Sequence, residues 1–258
     1  MSGRSRLIFI MLLWAAMRAQ AAPLHLCFED VPQPPWTMPD GSGLNISLLK
    51  LVEKQLGEQF VFVAKPWKRC LEEVRSGALD GIISAADSPE RRSFSVAPTL
   101  ADGRADPDAA LCEDRFNVFL RKAGPGKWDG RLLSSPAHSV VVQTGYIVAD
   151  LLRQRGVAVN DSVKSAEAGL RLLAEGFADV AVLQGYEAER LVESDPRFAG
   201  KIALAAPPYE VLPLYLLISR KTHAANPGRI DAIWAAIRSQ KASPAYRSLL
   251  PKAEQRSK

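Results

Sequence analysis

Residues 77–84 read GALDGIIS, and residues 176–183 read GFADVAVL. In each segment a glycine follows a helical pattern of apolar residues, an aspartate stands three positions later, and a short apolar run predicts a β-strand. Each segment closes a longer stretch in which strands and helices alternate. Because crossover helices connect parallel strands, both stretches predict parallel sheets.

The two stretches share the order strand, helix, strand, helix, strand. In the first, the predicted elements cover residues 24–28, 45–57, 60–64, 67–76 and 81–84. In the second, they cover residues 139–143, 147–155, 157–159, 166–175 and 180–183. Two such stretches predict an α/β protein with two lobes, each a mainly parallel sheet flanked by helices. A single doubly wound sheet built from both halves is the alternative.

The N-terminal residues have the pattern of a secretory signal peptide. A basic start is followed by a short apolar run, residues 7–16, and residues 19–21 (AQA) supply the small side chains that a signal peptidase requires. We expect residues 1–21 to be removed by cleavage after Ala21, which places the protein in the periplasm. No later stretch approaches the roughly 20 apolar residues of a membrane-spanning helix, so insertion into the membrane is not expected.

Charge and composition narrow the classes of partner. The chain has 33 basic and 28 acidic residues, and 47% of its residues are hydrophobic, enough for a large core. Arg4, Arg6 and Arg18 belong to the predicted signal peptide, which leaves 30 basic residues and a net charge of +2. This low charge, without a basic stripe interleaved with aromatic residues, argues against nucleic-acid binding.

Several short motifs occur in a fixed order. They are residues 34–36 (PPW) with 40–41 (DG), 77–84, 88–91 (SPER) with 94–95 (FS), and 143–145 (QTG). In this order and spacing the chain resembles the bacterial periplasmic solute-binding proteins of the polar amino acid transport family. The resemblance implies a two-lobe fold in which residues 22–114 and 219–258 form lobe 1 and residues 115–218 form lobe 2. It also implies two crossings between the lobes, near residues 112–118 and 216–221.

Ligands of open parallel sheets bind beyond the carboxyl ends of the strands, where helix N-termini point inward. This rule, with the resemblance, gives the predicted ligand-binding residues: Asp30, Trp36, Trp67, Ser84, Ala86, Arg91, Gln143, Tyr146 and Gln184. Glu29, beside Asp30, follows the same strand and is a further candidate.

Arg91 and the two tryptophans have roles that the resemblance suggests. The residue at the position of Arg91 grips the ligand's carboxylate in the family, which suits a planar guanidinium; a surface arginine, like Arg92, is the alternative. Trp36 stands where the family often has an aromatic residue that stacks on the ligand, although it could instead pack beside the prolines that precede it. Trp67 either lines the cleft mouth or packs within its lobe.

Two residues depart from the family pattern. Tyr146 replaces a small hydroxyl residue at a helix start, so it either narrows the pocket and contacts the ligand or serves packing. Gln184 replaces an aspartate that usually pairs with the ligand's α-amino group. Since a neutral amide cannot supply that charge, recognition of an ordinary amino acid is in doubt unless Asp30 or Glu29 compensates.

The chain has three cysteines, and an oxidising compartment favours disulfides. Cys27 lies near the end of the first strand and Cys70 in the first turn after the adjacent strand, so the sequence predicts a Cys27–Cys70 disulfide and leaves Cys112 unpaired. Three buried thiols are the alternative. No metal site is expected, because no histidine lies within a few residues of Cys70 or Cys112 and no paired-cysteine spacing occurs.

The sequence contains no recognised catalytic motif. None of His25, His138 and His223 falls in a recognised serine- or cysteine-nucleophile motif, and the chain has no phosphate loop or dinucleotide glycine pattern. We therefore expect a non-enzymatic protein without a cofactor.

The sequence thus predicts a monomeric solute-binding protein that closes two lobes over a small polar, carboxylate-bearing, amino-acid-like solute and delivers it to the permease of an ABC transporter. Two alternatives stay open. One is an accessory or sensor-associated periplasmic binding protein. The other is a periplasmic dehydratase-like enzyme on the same fold, with Asp30 or Glu29 as acid or base.

Overall fold

The structure is a computed structural model that describes residues 22–250, and the predicted signal peptide lies outside the described residues. The first part of the chain, which we call the first unit, covers residues 24–96. Its elements are β1 (Leu24–Glu29), α1 (Leu44–Leu56), β2 (Phe60–Lys65), α2 (Trp67–Arg75), β3 (Gly81–Ala86), α3 (Pro89–Arg92) and β4 (Ser95–Val96).

The second unit covers residues 140–194. Its elements are β8 (Val140–Gln143), α4 (Ile147–Gln154), β9 (Val159–Val163), α5 (Ala166–Ala174), β10 (Val180–Gln184) and α6 (Tyr186–Ser194). Between the units lie a 3-10 helix (Pro107–Ala109), β5 (Cys112–Arg121), β6 (Lys127–Trp128) and β7 (Leu133–Ser134). After the second unit come β11 (Ile202–Ser219), α7 (Arg220–Ala225), α8 (Pro227–Lys241) and α9 (Pro244–Arg247).

The α/β class and the predicted alternation of elements are confirmed. β1 pairs in parallel with β2 and β3, and β8 pairs in parallel with β9 and β10. Two details of the sequence interpretation are wrong. Asn45, which the sequence suggests as the N-cap of the first helix, is a buried residue inside α1, which begins at Leu44 after Gly43. The strand β9 begins at Val159, later than the predicted strand at 157–159.

Two long antiparallel strands connect the units. β5 pairs with β10 of the second unit, β11 pairs with β3 of the first, and β5 and β11 pair with each other, which gives the order β2-β1-β3-β11-β5-β10-β8-β9. The pairing of β11 with β5 shifts register between Ala205 and Glu210, and from Leu214 onward β11 pairs with β3. The exact lobe boundaries, 114/115 and 218/219, stay a prediction.

Apolar faces of the helices account for the core. Leu48, Leu49 and Val52 of α1 are completely buried, at the helical spacing expected of one face, and pack with Ile233 and Ile237 of α8. Burying an aliphatic side chain of this size contributes about 1.5–3 kcal/mol. None of the helices among residues 22–250 is both long and apolar enough to cross a bilayer.

The predicted disulfide is confirmed. Cys27 at the end of β1 and Cys70 in α2 are bonded, with their Cα atoms 5.8 Å apart. Parallel pairing of β1 with β2 places the start of α2 beside β1, because α2 follows β2 directly. Cys112 is a buried free cysteine at the start of β5.

Candidate ligand-binding site

The ends of β1, β3 and β10 and the loop after β8 meet around a cavity between the two units, which we call the central cavity. It is lined by Glu29, Gln33, Trp36, Thr37, Trp67, Ile83, Ser84, Ala86, Arg91, Phe116, Tyr146, Ile147, Gln184 and Leu214. About 30 Å³ of space remains in it for water-sized molecules, which is room for about two waters. The side chains of both units therefore fill most of it.

Most of the predicted ligand-binding residues come together here. Trp36, Trp67, Ser84, Ala86, Arg91, Tyr146 and Gln184 line the central cavity. The structure does not place Asp30 or Gln143 in its lining: Asp30 is exposed beyond the end of β1. Gln143 is buried, and its Oε1 accepts a hydrogen bond of 2.9 Å from the backbone nitrogen of Gln184.

Arg91 is held rigidly at the end of the first unit. It lies in α3, a short helix that begins with Pro89 and is capped by Ser88, whose hydroxyl accepts a hydrogen bond from the Arg91 backbone nitrogen. Its guanidinium donates to the carbonyl oxygens of Ala86, at 2.8 Å, and Gly145, at 3.4 Å. The side chain is 4% exposed, and among the described residues it has no ion-pair partner.

The guanidinium of Arg91 remains charged despite its burial. Burial lowers the pKa of Arg91 to about 10, so it still carries its charge at neutral pH. Arg92, the next residue, is exposed, and its Nε donates to Asp87 at 2.9 Å. The two neighbouring arginines thus differ: Arg91 is buried in the central cavity and Arg92 is a surface residue.

A buried polar cluster also lines the central cavity. The hydroxyl of Tyr146 donates to Glu29 Oε2, and the side-chain nitrogen of Gln33 donates to the same oxygen at 3.1 Å and to the Tyr146 hydroxyl at 2.8 Å. Burial raises the pKa of Glu29 to about 7, against the opposing effect of the two hydrogen bonds. Burial and the nearby Glu29 also raise the pKa of Tyr146, which stays protonated.

The same region joins the two units. The carbonyl oxygen of Gly145, in the second unit, accepts a hydrogen bond of 3.0 Å from the Trp67 indole nitrogen, in the first. Gly145 has a φ of 76°, and a Cβ atom there would lie 3.1 Å from a Trp67 ring carbon. Trp67, Cys70, Val142 and Tyr146 belong to one buried cluster. The two units are therefore in direct contact here.

Ser84 lies at the floor of the central cavity in an unusual backbone conformation. Its φ is 63°, the one positive value at a non-glycine position among residues 22–250. Asn45 of α1 donates its side-chain N–H to the Ser84 hydroxyl. Left-handed conformations at non-glycine residues cost free energy and occur often at ligand sites. The role of Ser84 in ligand binding stays a prediction.

Gln184 contacts a carboxylate that the sequence interpretation did not consider. Its side-chain nitrogen donates to Asp114 Oδ2 at 3.1 Å, and Asp114 Oδ1 accepts from the Arg115 backbone nitrogen at 2.8 Å. Asp114 is buried at the start of β5, and burial raises its pKa to about 6. Neither Gln33 nor Asp114 is among the sequence candidates: Gln33 lies in the loop after β1 but belongs to no recognised motif, and Asp114 lies inside β5.

Within residues 22–250, no three histidine, cysteine, aspartate or glutamate side chains lie close enough together to hold a metal ion. His138 pairs with Asp179, at 2.9 Å between Nδ1 and Oδ2. The nearby Ser135 hydroxyl is turned to the His138 carbonyl oxygen. This histidine therefore does not activate that serine.

No family model and no curated protein matches the sequence, but solved structures match the fold. A histidine kinase sensor domain with similarity to periplasmic binding proteins aligns with a TM-score of 0.71 and 15% identity over 93% of this chain and 98% of its own. The substrate-binding protein of an amino acid ABC transporter aligns with a TM-score of 0.63 and 14% identity over 88% of this chain and 97% of its own.

A third match is an ancestral amino acid-binding protein described as a precursor of cyclohexadienyl dehydratase. It aligns with a TM-score of 0.64 and 16% identity over 88% of this chain and 92% of its own. At such identities the matches establish the fold and nothing finer. The chain has the two-lobe periplasmic binding protein fold, as the sequence predicts.

Proposed function

We propose that this protein is a periplasmic solute-binding protein that captures a small polar solute bearing a carboxylate. The observation that carries the proposal is the buried guanidinium of Arg91, which faces the central cavity without an anionic partner among the described residues. A buried charge without a partner is costly, and a guanidinium can bond both oxygens of a carboxylate. A ligand's carboxylate would provide the missing countercharge.

Closure of the two lobes would then bury the ligand. The proposed lobes are residues 22–114 with 219–258, and residues 115–218, connected by β5 and β11. Arg91, Trp36 and Trp67 lie in the first lobe, and Tyr146 and Gln184 in the second, so a ligand at the central cavity would contact both. Delivery to an ABC transporter permease completes the proposal, and the fold's solute-binding relatives support it.

Calorimetric titration tests the role of Arg91. Before titration, the protein is unfolded and refolded with its disulfide intact, which removes any co-purified ligand, and it is screened with small carboxylates by thermal shift. A ligand at a hundred times its dissociation constant adds about 2.7 kcal/mol to stability. For a compound found in this way, Arg91→Ala should weaken binding by about 2–5 kcal/mol, whereas Arg92→Ala should change it little. Equal small losses at both positions would contradict the proposal.

Export supports the same function and has its own test. The intact mass of the periplasmic protein should correspond to cleavage after Ala21. A soluble periplasmic product that still contains residues 1–21 would contradict the predicted localisation.

A second candidate function is favoured by a separate observation. Side chains of the two units fill most of the central cavity and hydrogen-bond to each other across the contact between the units. This would suit an accessory or sensor-associated protein whose closed form is itself read by a partner. If the whole screen of small carboxylates leaves the melting temperature unchanged, this function is preferred.

The raised pKa of Glu29 bears on the alternative that the protein is an enzyme. A carboxyl with a pKa of about 7 is suited to general acid or base catalysis. The expectation that the protein is not an enzyme stays a prediction, and product analysis after prolonged incubation with each bound compound tests it.

A further inference from the structure

The charges of the central cavity limit the kind of carboxylate that fits it. Among its lining residues, Arg91 is the cationic side chain and Glu29 is the carboxyl; Tyr146 remains a neutral phenol. All other lining side chains are uncharged. Arg91 can receive one anionic group, and any ammonium group of the ligand would depend on Glu29.

Glu29 is poorly placed to receive an ammonium group. Its Oε2 already accepts hydrogen bonds from Tyr146 and Gln33, which also bond each other. The Tyr146 ring packs on Trp67 and Phe116, with centroids 6.1 and 6.4 Å away, so the hydroxyl is fixed against the carboxyl. An ammonium group could therefore pair with Glu29 only through Oε1, and with a carboxyl whose pKa burial raises to about 7, so the countercharge is incomplete at neutral pH.

Asp114, the nearest other buried carboxylate, does not line the cavity. Its two oxygens accept hydrogen bonds from the Gln184 side chain and the Arg115 backbone. Gln184 therefore occupies the position in the lining from which a carboxylate could have reached a ligand. The negative charge lies one residue layer further away and is already hydrogen-bonded.

An ammonium group has three donors and no acceptor, and burying it without a countercharge is costly. A hydroxyl or a carbonyl group has no such requirement, because it can pair with the hydroxyls and amides of Ser84, Tyr146, Gln33 and Gln184. We propose, on the basis of the proposed function above, that the central cavity binds a small hydroxy or keto acid and discriminates against the amino acid with the same carbon skeleton.

The size of the cavity favours short acids. It has room for about two water molecules, so a ligand that occupies more space than two waters requires some lining side chains to move. Each additional carbon requires a larger rearrangement of a packed interior, and such rearrangement is costly.

The test compares ligands that differ only in one group. L-Lactate and pyruvate are titrated against L-alanine, and L-malate against L-aspartate, with the refolded full-length mature protein at pH 7. In at least one of these sets the hydroxy or keto acid should bind about tenfold more tightly than the amino acid, or better. Tighter or equal binding of the amino acid in every set that binds overturns this inference and leaves the proposed function intact. If no compound binds here and none in the thermal-shift screen of small carboxylates does, both the inference and the proposed function are overturned.

A double variant and its neutral control test whether the lack of a negative charge at position 184 sets the preference. Gln184→Asp combined with Asp114→Asn moves the negative charge from behind the lining into it without changing the net charge. This double variant should bind the amino acid more tightly and the hydroxy acid more weakly, which reverses the preference. Gln184→Asn, which stays neutral, should retain the original preference. An unchanged preference in the double variant would also overturn the inference, provided that its melting temperature shows it to be folded.

Discussion

The two units share a fold pattern but contribute different chemistry to the central cavity. The first unit provides its charged side chains, Glu29 and Arg91, whereas the second provides neutral groups: the Tyr146 phenol, the Gln184 amide and the Gly145 carbonyl. The repeated order of strand and helix explains why both units present residues at the same edge. It does not determine which residues they present.

The units also differ in how they are stabilised. The first has a disulfide between β1 and α2, whereas the second is held by packing around Val141, Leu170 and Leu183. A rigid first unit that carries the charges and a second unit that closes on it with neutral groups would keep the geometry of Arg91 independent of closure. The following predictions test this division, from the largest expected effect to the smallest.

Loss of the disulfide should give the largest of these effects. Replacing Cys27 and Cys70 by serine should lower the free energy of unfolding by about 4 kcal/mol, because 43 residues separate the two cysteines and the unfolded chain gains the entropy of an open loop. Urea denaturation measures the loss. Cys112→Ala, which removes the unpaired thiol, is the control and should cost less; an equal loss would show that the disulfide has no special role in the first unit.

Glu29 should make stability depend on pH. Its pKa is raised to about 7 in the folded state from 4.5, so between these values the folded protein binds more protons than the unfolded chain. The free energy of unfolding should therefore fall as the pH rises from about 4.5 to about 7, by a total of roughly 3 kcal/mol from this group.

Urea denaturation across this pH range, for the wild type and for Glu29→Gln, isolates the effect. The variant should lose this part of the pH dependence. Asp30→Asn, at the exposed position next to it, should keep it. If Glu29→Gln retains the full slope, the folded protein does not protonate Glu29 in this range.

The extent to which sequence predicts this molecule differs between its fold and its site. Periodicity and the two glycine–aspartate segments predict the strands, helices and parallel pairing, because these depend on local pattern. They also predict that Arg91 and Tyr146 approach the cavity, since both follow strand ends. Gln33 and Asp114 could not be predicted in this way, because their roles depend on contacts between distant parts of the chain.

Asp30 and Glu29 show that the sequence also could not predict which of two adjacent residues enters the cavity. Adjacent residues of a strand point to opposite sides, so the rule on strand ends selects the position along the chain but not the side. Only the completed sheet shows that Glu29 is buried in the central cavity and Asp30 is exposed. The sequence likewise gives no indication that Tyr146 bonds Glu29, which lies 117 positions away.

Substitutions at two glycines distinguish the cost of a strained backbone from the cost of a disturbed contact between the units. Gly145 and Gly156 both have a φ of 76°, but a Cβ atom on Gly145 would meet Trp67 and Lys68 of the first unit, whereas one on Gly156 would meet nothing within 4 Å. Each change to alanine should cost about 1 kcal/mol for the left-handed backbone. Gly145→Ala should cost about 1 kcal/mol more.

Small-angle scattering distinguishes the two variants further. Gly145→Ala should shift the ligand-free protein toward a more open form with a larger radius of gyration, and Gly156→Ala should leave the radius unchanged. The same radius in both would show that the contact at Gly145 does not maintain closure.

Tyr146→Phe should give the smallest effect, and the most specific. The change keeps the ring that packs on Trp67 and Phe116 but removes the hydroxyl that joins the neutral second unit to Glu29. Loss of one buried hydrogen bond should lower the free energy of unfolding by about 1 kcal/mol.

If the hydroxyl acts through Glu29, the effects of Tyr146→Phe and Glu29→Gln should not be additive, and a double-mutant cycle should give a coupling energy of about 0.5–3 kcal/mol. Gln33 contacts both groups and would transmit part of this coupling, so repeating the cycle in a Gln33→Ala background separates the direct bond from the shared one. Additive losses in both backgrounds would mean that the two units meet at Tyr146 by packing alone.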